Sequence, residues 1–218
     1  MAKYEGKDHY LDPETGVLKN KLGIGDEDEL KKAEASLVAW RSFQLAEKPI
    51  QGRFDLRHLK AIHKHLFCDV YEWAGELRDI DLGKDNSYFA NHPHIVSAAR
   101  PVFEKLAEEG YLNGLDAAAF SSRAAYYLGE INALHPFRDG NGRAQREFIN
   151  HLAYKNGYLI EWKNVGREDM IQASIESFLQ GDNTKLAAFI RDNLRKLPAS
   201  DPNKAGAPKK REKSLEPR

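Results

Sequence analysis

Leu134-His135-Pro136-Phe137-Arg138-Asp139-Gly140-Asn141-Gly142-Arg143-Ala144-Gln145-Arg146 joins two apolar helical patterns, and its groups suit one kind of ligand. Upstream, Phe120, Ala124, Tyr127, Leu128, Ile131 and Leu134 recur at three- and four-residue steps, which predicts a helix over Asp116–Leu134. A second helix is predicted from about Arg143 to Asn156. Gly140 and Gly142 permit positive φ and close backbone approach, so their N–H groups can converge on an anion. The new helix adds free N–H groups and a partial positive charge at the same spot. Arg143 and Arg146, at i and i+3, share one helix face and can bracket phosphates. Asp139 supplies an oxygen ligand of the kind Mg²⁺ prefers. His135, with an ordinary pKa near 6.5, can take a proton at neutral pH. A Gly-x-Gly before a helix is ordinarily a plain turn, but here every residue type that phosphoryl chemistry needs stands in one loop. The spacing predicts a Mg²⁺–polyphosphate site with a general base on its edge.

Outward from the loop the chain reads as helices. Asp26 or Asp28 caps a first helix carrying Leu30, Ala33, Leu37 and Trp40, and a second starts at Asp55 with Leu56, Leu59, Ile62, Leu66 and Phe67 on one face. Another runs from Pro93 to about Glu109, and two more cover Arg167–Leu179 and Asn183–Leu197. The stretch from Leu77 to Leu82 breaks this period. Apolar and polar residues alternate there, Gly83 to Ser87 is a turn cluster, and Tyr88-Phe89-Ala90 returns as a second short strand. The fold class is all-α with one accessory β-hairpin. An isolated hairpin is marginal in water, so this one must pack on the helices or serve as a binding edge.

Composition bounds the remaining classes. The 218 residues carry 33 basic and 33 acidic side chains, a net charge of zero, which argues against a broad nucleic-acid-binding field. No apolar stretch approaches a membrane span, the first residues lack a signal-peptide core, and the single Cys68 rules out an intrachain disulfide framework or a multi-cysteine zinc site. The expectation is a soluble cytoplasmic protein. Residues 1–197 are expected to form one domain, with 1–25 an extended lead-in. Residues 198–218, with four prolines and a net charge of +3, read as a disordered basic tail or linker. Other polar residues carry milder expectations. His63 and His65 point to different sides of a helix, His92 and His94 sit beside the hairpin's end, and Asp79 and Asp81 share a face as solvated or edge-protecting charges. Trp40, Trp73 and Trp162 read as core or half-buried, and Cys68 as packing.

The loop resembles the signature of the Fic-domain family, His-x-Phe-x-(Asp/Glu)-Gly-Asn-Gly-Arg-x-x-Arg, at every specified position. With eight or so fixed positions at roughly 5% usage, a chance match in a chain this long is on the order of 10⁻⁸. Lys19-Asn20-Lys21-Leu22-Gly23-Ile24, the stretch Tyr71-Glu72-Trp73-Ala74-Gly75-Glu76-Leu77-Arg78 and the hairpin extend the resemblance over residues 8–197. Within the family the chain is most similar to the bacterial FicT/VbhT-type toxins.

The resemblance implies a Fic-fold helical bundle whose hairpin is a flap over the active site, and a reaction that moves AMP from ATP to a Tyr, Thr or Ser hydroxyl of another protein. It makes His135 the base, Phe137 the buried anchor and Asp139 the Mg²⁺ holder. Gly140, Asn141 and Gly142 cradle the α- and β-phosphates, and Arg143 and Arg146 contact the β- and γ-phosphates. Ile80, Lys84, Asp85, Asn86, Ser87 and Phe89 are the flap residues expected to position the target segment. Gly142 stands where the kinase-type relatives have Lys, which favours AMP transfer over phosphate transfer. An inhibitory (Ser/Thr)-x-x-x-Glu-(Gly/Asn) helix is not found, because Glu5-Gly6 and Glu109-Gly110 follow Met1 and Lys105 at the Ser/Thr position. A separate small antitoxin, its Glu directed at Arg146, is therefore implied. Type II topoisomerase subunits are the targets expected of the subfamily, and the tail would suit delivery to another cell if it leads to a secretion module. Transfer of another nucleotide or of phosphocholine, and a non-catalytic nucleotide-binding adaptor, stand as the alternatives.

Overall fold

Two aspartates start the first two helices where the sequence places them. In the computed structural model, which describes residues 8–84 and 87–198, Asp26 caps α1 (Glu27–Glu47) by accepting from the Glu29 N–H at 2.8 Å. Asp55 does the same for α2 (Leu56–Phe67) through the His58 N–H at 2.8 Å. Helix α3 (Ile95–Glu108) follows a single turn, His92–His94, with Pro93 inside it. Asp116 caps α4 (Ala117–Leu134), and α5 (Asn141–Lys155), with Gly140 at its N-cap position, starts two residues earlier than the sequence pattern places it. Helices α6 (Arg167–Gln180) and α7 (Thr184–Asn193) complete the bundle.

Helix α4 is the axis, packed against α3, α5, α6 and α7, while α2 lies on α1 and α5. Its Phe120, Ala124, Tyr127 and Ile131 are wholly buried, as are Leu59, Ile62, Leu66 and Phe67 of α2 and Phe148, Ile149 and Leu152 of α5. Truncating any of these large side chains to Ala would cost about 2–5 kcal/mol. The loop that carries the chemistry is thus strung between the ends of two helices fixed by the core. Among the described residues no helix is long and apolar enough to cross a membrane.

The all-α class with a small hairpin holds, and four local readings change. The segment Leu77–Leu82 forms no strand; the ladder is confined to β1 (Gly83–Lys84) and β2 (Ser87–Tyr88), paired antiparallel. Asp79 and Asp81 therefore do not share a strand face. Helix α7 stops at Asn193, and β4 (Leu194–Lys196) pairs antiparallel with β3 (Tyr158–Ile160), a partnership between segments too distant for local periodicity to register. On α1 the buried stripe is Leu30, Glu34, Val38 and Leu45, and Trp40 is 57% exposed, stacked on the exposed Phe43 at 5.8 Å. From Asp8 the lead-in is folded. Leu11 and Leu18 bridge, Asp12 accepts the Glu14 and Thr15 N–H groups, and Tyr10 and Val17 are buried. Residues 1–7, the hairpin tip Asp85-Asn86 and the tail beyond residue 198 lie outside the described residues.

Candidate active site

Helix α4 ends on His135, whose backbone takes the left-handed conformation (φ 42°, ψ 59°), a costly choice for a non-glycine residue that the surroundings must enforce. The turn that follows is held from inside. Phe137 is fully buried, and Asn141 closes on it twice, accepting the Phe137 N–H at 2.9 Å and donating to its carbonyl at 2.8 Å. The Asn141 side chain is spent on the loop, which leaves its backbone N–H as the polar group it can turn to the cleft. Gly140 is required by both conformation and space: its φ is +77°, and a Cβ there would lie 2.4 Å from Cζ of Phe67. Gly142 is different. It sits in the first turn of α5 with no positive φ, and a Cβ would meet only Nη1 of Arg146 at 3.6 Å. The fold leaves room at 142.

His63 is the loop's other holder. Its Nδ1 accepts the Gly75 N–H at 2.9 Å, which assigns the proton to Nε2, and Nε2 donates to the Asp139 carbonyl at 2.9 Å. The ring stacks on Phe137 at 3.8 Å, and burial drives its pKa down to about 4, so it stays neutral. His65 of the same His-x-His points elsewhere, with a buried, unpartnered Nε2.

Above this floor the charged groups converge. No side chain caps α5, so its first N–H groups face the cleft without a side-chain acceptor. The Arg143 guanidinium lies over the Phe67 ring at 4.6 Å, pairs with Glu34 of α1 at 2.5 Å, and comes within 3.6 Å of the Asp139 carboxylate. Glu34 in turn accepts the Tyr71 hydroxyl hydrogen bond. Arg146 makes no ion pair or side-chain hydrogen bond among the described residues, and its pKa is lowered by burial and then by Arg143. Arg138 is pinned by Asp8 at 2.7 Å, both side chains nearly buried, which ties the folded lead-in to the loop. These groups border a cleft of about 1100 Å³ whose lining also includes the apolar Leu18, Leu30, Trp162 and Met170.

His135 faces the cleft beneath the hairpin, its ring stacked on Phe89 at 3.8 Å and 15°. Burial, with Arg78's charge adding to it, lowers its pKa to about 4. The imidazole is therefore unprotonated at neutral pH, as a proton acceptor must be. Of the flap residues, Ile80 is half-buried and Phe89 touches the imidazole, while β1 and β2 place Lys84 and Ser87 opposite each other.

The Fic/DOC family model matches residues 53–153, which span α2 through the loop and most of α5. The chain is 38% identical to the probable protein adenylyltransferase Fic of Escherichia coli over 84% of its own length and 90% of that protein's. The chain belongs to the Fic/DOC family. It is 54% identical over 195 residues to protein adenylyltransferase VbhT of Bartonella schoenbuchensis, covering 89% of this chain but only 41% of VbhT. The Fic fold is met again in the Bartonella tribocorum effector BepC, solved with bound AMPPNP, at a TM-score of 0.80 and 27% identity over 87% of this chain and 97% of BepC.

Of the groups that hold the cleft residues of this Fic frame, Phe137 belongs to the signature, while Asp8, Glu34 and His63 lie outside it. Glu34 left one trace in the sequence, an acidic residue at the centre of the i, i+4, i+8 series Leu30, Glu34, Val38. A charge in a buried stripe announces a partner, and the partner is Arg143. Asp8 and His63 left none.

Proposed function

We propose that this chain is a protein adenylyltransferase whose cleft binds ATP with its phosphates against the start of α5 and its base toward the apolar lining. The observation that carries this reading is the meeting in one cleft of an uncapped helix N-terminus, two arginines and a histidine kept neutral by burial. The Asn141 and Gly142 N–H groups and Arg143 and Arg146 take the phosphate oxygens. A target hydroxyl lying under the hairpin attacks the α-phosphorus while His135 accepts its proton; the bond from the α-phosphorus to the bridging oxygen breaks and pyrophosphate leaves. Positioning and preorganised positive charge supply most of the acceleration in such a transfer.

The donor set suits a Mg²⁺ ion that arrives with the nucleotide. Asp139 presents one hard, half-exposed carboxylate, and among the described residues no three His, Cys, Asp or Glu side chains gather into a metal cage. Asp139 with phosphate oxygens would hold the ion, which supplies neutralisation of the leaving pyrophosphate's charge.

Arg146 also lines a groove of about 300 Å³ between α1 and α5, bordered by Val38, Ala39, Ser42 and Trp162. Arg143 and Arg146 outnumber the one carboxylate there, Glu147, and two arginines beside the small Ala35, Ala39 and Ser42 suit a helix bearing a carboxylate, which supports a separate inhibitory protein whose Glu reaches Arg146. The deciding experiment incubates the chain with bacterial lysate and either α- or γ-labelled ATP. Label from the α-position on a discrete band supports AMP transfer. Label from the γ-position alone would replace it with phosphate transfer. Purified type II topoisomerase subunits are the first individual targets to try.

A further inference from the structure

The side chain of Arg78 is wholly buried, yet its nearest carboxylate, Asp81, is 3.8 Å away and half exposed. Its hydrogen bonds go to four backbone carbonyls instead. Nε donates to His135 at 2.8 Å, Nη1 to Ile80 at 2.7 Å, and Nη2 to Leu134 at 3.4 Å and to Ala90. Ile80 and Ala90 flank the hairpin, one before β1 and one after β2. Leu134 and His135 are the end of α4, where unpaired carbonyls carry the negative end of the helix dipole. A desolvated cation is tolerated there because its donors meet a carbonyl cage rather than one counter-charge.

Neighbouring bonds repeat the link. The Arg78 N–H donates to the Pro136 carbonyl at 2.9 Å, closing on the far side of His135, and the Ala90 N–H donates to Ala133 at 3.2 Å. Asp81 accepts the His92 N–H at 2.7 Å, drawing the hairpin's two flanks together.

We infer that Arg78 is a positioning residue of the transfer: one guanidinium fixes both roots of the hairpin to the helix end that presents His135, and so sets the spacing between the docked target segment and its proton acceptor. This rests on the reading of His135 as base and of the hairpin as target edge. Arg78 touches neither nucleotide nor target. The left-handed backbone of His135 follows from the same clamp, since its carbonyl and that of Pro136 are both held by Arg78. Lysine can rebuild the cage only in part, because an ammonium has three donors and no planar fork.

The test compares the full chain with Arg78→Gln and Arg78→Lys by hydrogen exchange, by binding of a fluorescent ATP analogue, and by transfer from α-labelled ATP into bacterial lysate. In Arg78→Gln, exchange is expected to rise in residues 79–92 and 132–136 and not in α1 or α7. Nucleotide affinity should stay within about threefold, as for a remote site, while transfer falls roughly 10²-fold, the scale of a 1 Å misplacement. Arg78→Lys should recover part of the transfer. Unchanged exchange at the hairpin, or full transfer, would overturn the inference. So would a uniform rise in exchange with loss of nucleotide binding, which would make Arg78 a folding residue only. A His135→Ala variant that still labels at the wild-type rate would instead bring down the assignment of the base, leaving the Arg78 exchange pattern to stand or fall by itself.

Discussion

Glu34 of α1 and Arg143 of α5 form an ion pair at 2.5 Å on the rim of the cleft, with Tyr71 donating to the other carboxylate oxygen. The chain thus places a negative charge of its own beside a cation that the proposed reading assigns to the nucleotide. Glu34→Gln removes that charge and keeps the shape, so ATP should bind several-fold more tightly by calorimetry. Unchanged or weaker binding would show that Glu34 serves only to orient Arg143.

The pair also marks where sequence reading fell short. On α2 the apolar period is strong and α4 is apolar on most sides, and the residues read as inward, Leu59, Ile62 and Leu66 or Phe120, Ala124 and Ile131, are buried. On α1 the period is weak: Leu30 is buried and Leu37 packs on the core, but Trp40 is exposed, and the buried stripe runs through Glu34, whose partner lies 109 residues on, and Val38. Alternation over Leu77–Leu82 mimics a strand because Leu77 packs on the core and Leu82 is buried, but the Ile80 carbonyl is taken by Arg78 and not by a ladder. The chemistry-bearing loop was legible since its residues are contiguous. Its supports, Asp8, Glu34 and His63, come from three distant segments.

His63→Ala should loosen the loop without touching the cleft. It leaves the buried Gly75 N–H without an acceptor and the Asp139 carbonyl without its donor, and removes the stack on Phe137. The expected cost is about 2–5 kcal/mol in urea unfolding. A loss under 1 kcal/mol would mean the loop is held elsewhere.

The two loop glycines should part company. Gly140→Ala forces a side chain into Phe67 at positive φ, and a loss of about 2–5 kcal/mol is expected. Gly142→Ala, with open space and a helical position, should melt within a few degrees of the wild type. Equal melting temperatures would contradict this account of the turn.

Away from the cleft, His58 and His151 meet at 3.3 Å in the core. Burial, then His58 and His65, lowers the His151 pKa to about 3. The unfolded chain, with histidines near 6.5, takes up protons first as pH falls. The stability contributed by neutral His151 is complete above pH 6.5 and is lost progressively below it, toward pH 3. The slope approaches about 1.4 kcal/mol per pH unit for each such histidine. Denaturant titrations from pH 8 to 5 should show that decline, and His151→Gln should make it shallower by about one proton's worth. An unaltered slope would remove His151 from the acid response.

In the proposed reaction a neutral His135, seated in an intact ATP cleft, takes the proton of the attacking hydroxyl. The direct measurement sets His135→Ala beside the wild type, recording ATP binding and the rate of AMP transfer from α-labelled ATP in the same preparations. Unchanged ATP affinity is expected, with transfer reduced about 10²–10⁴-fold, the usual cost of losing a positioned base. Transfer at the wild-type rate, or a loss traced entirely to ATP binding, would contradict that role.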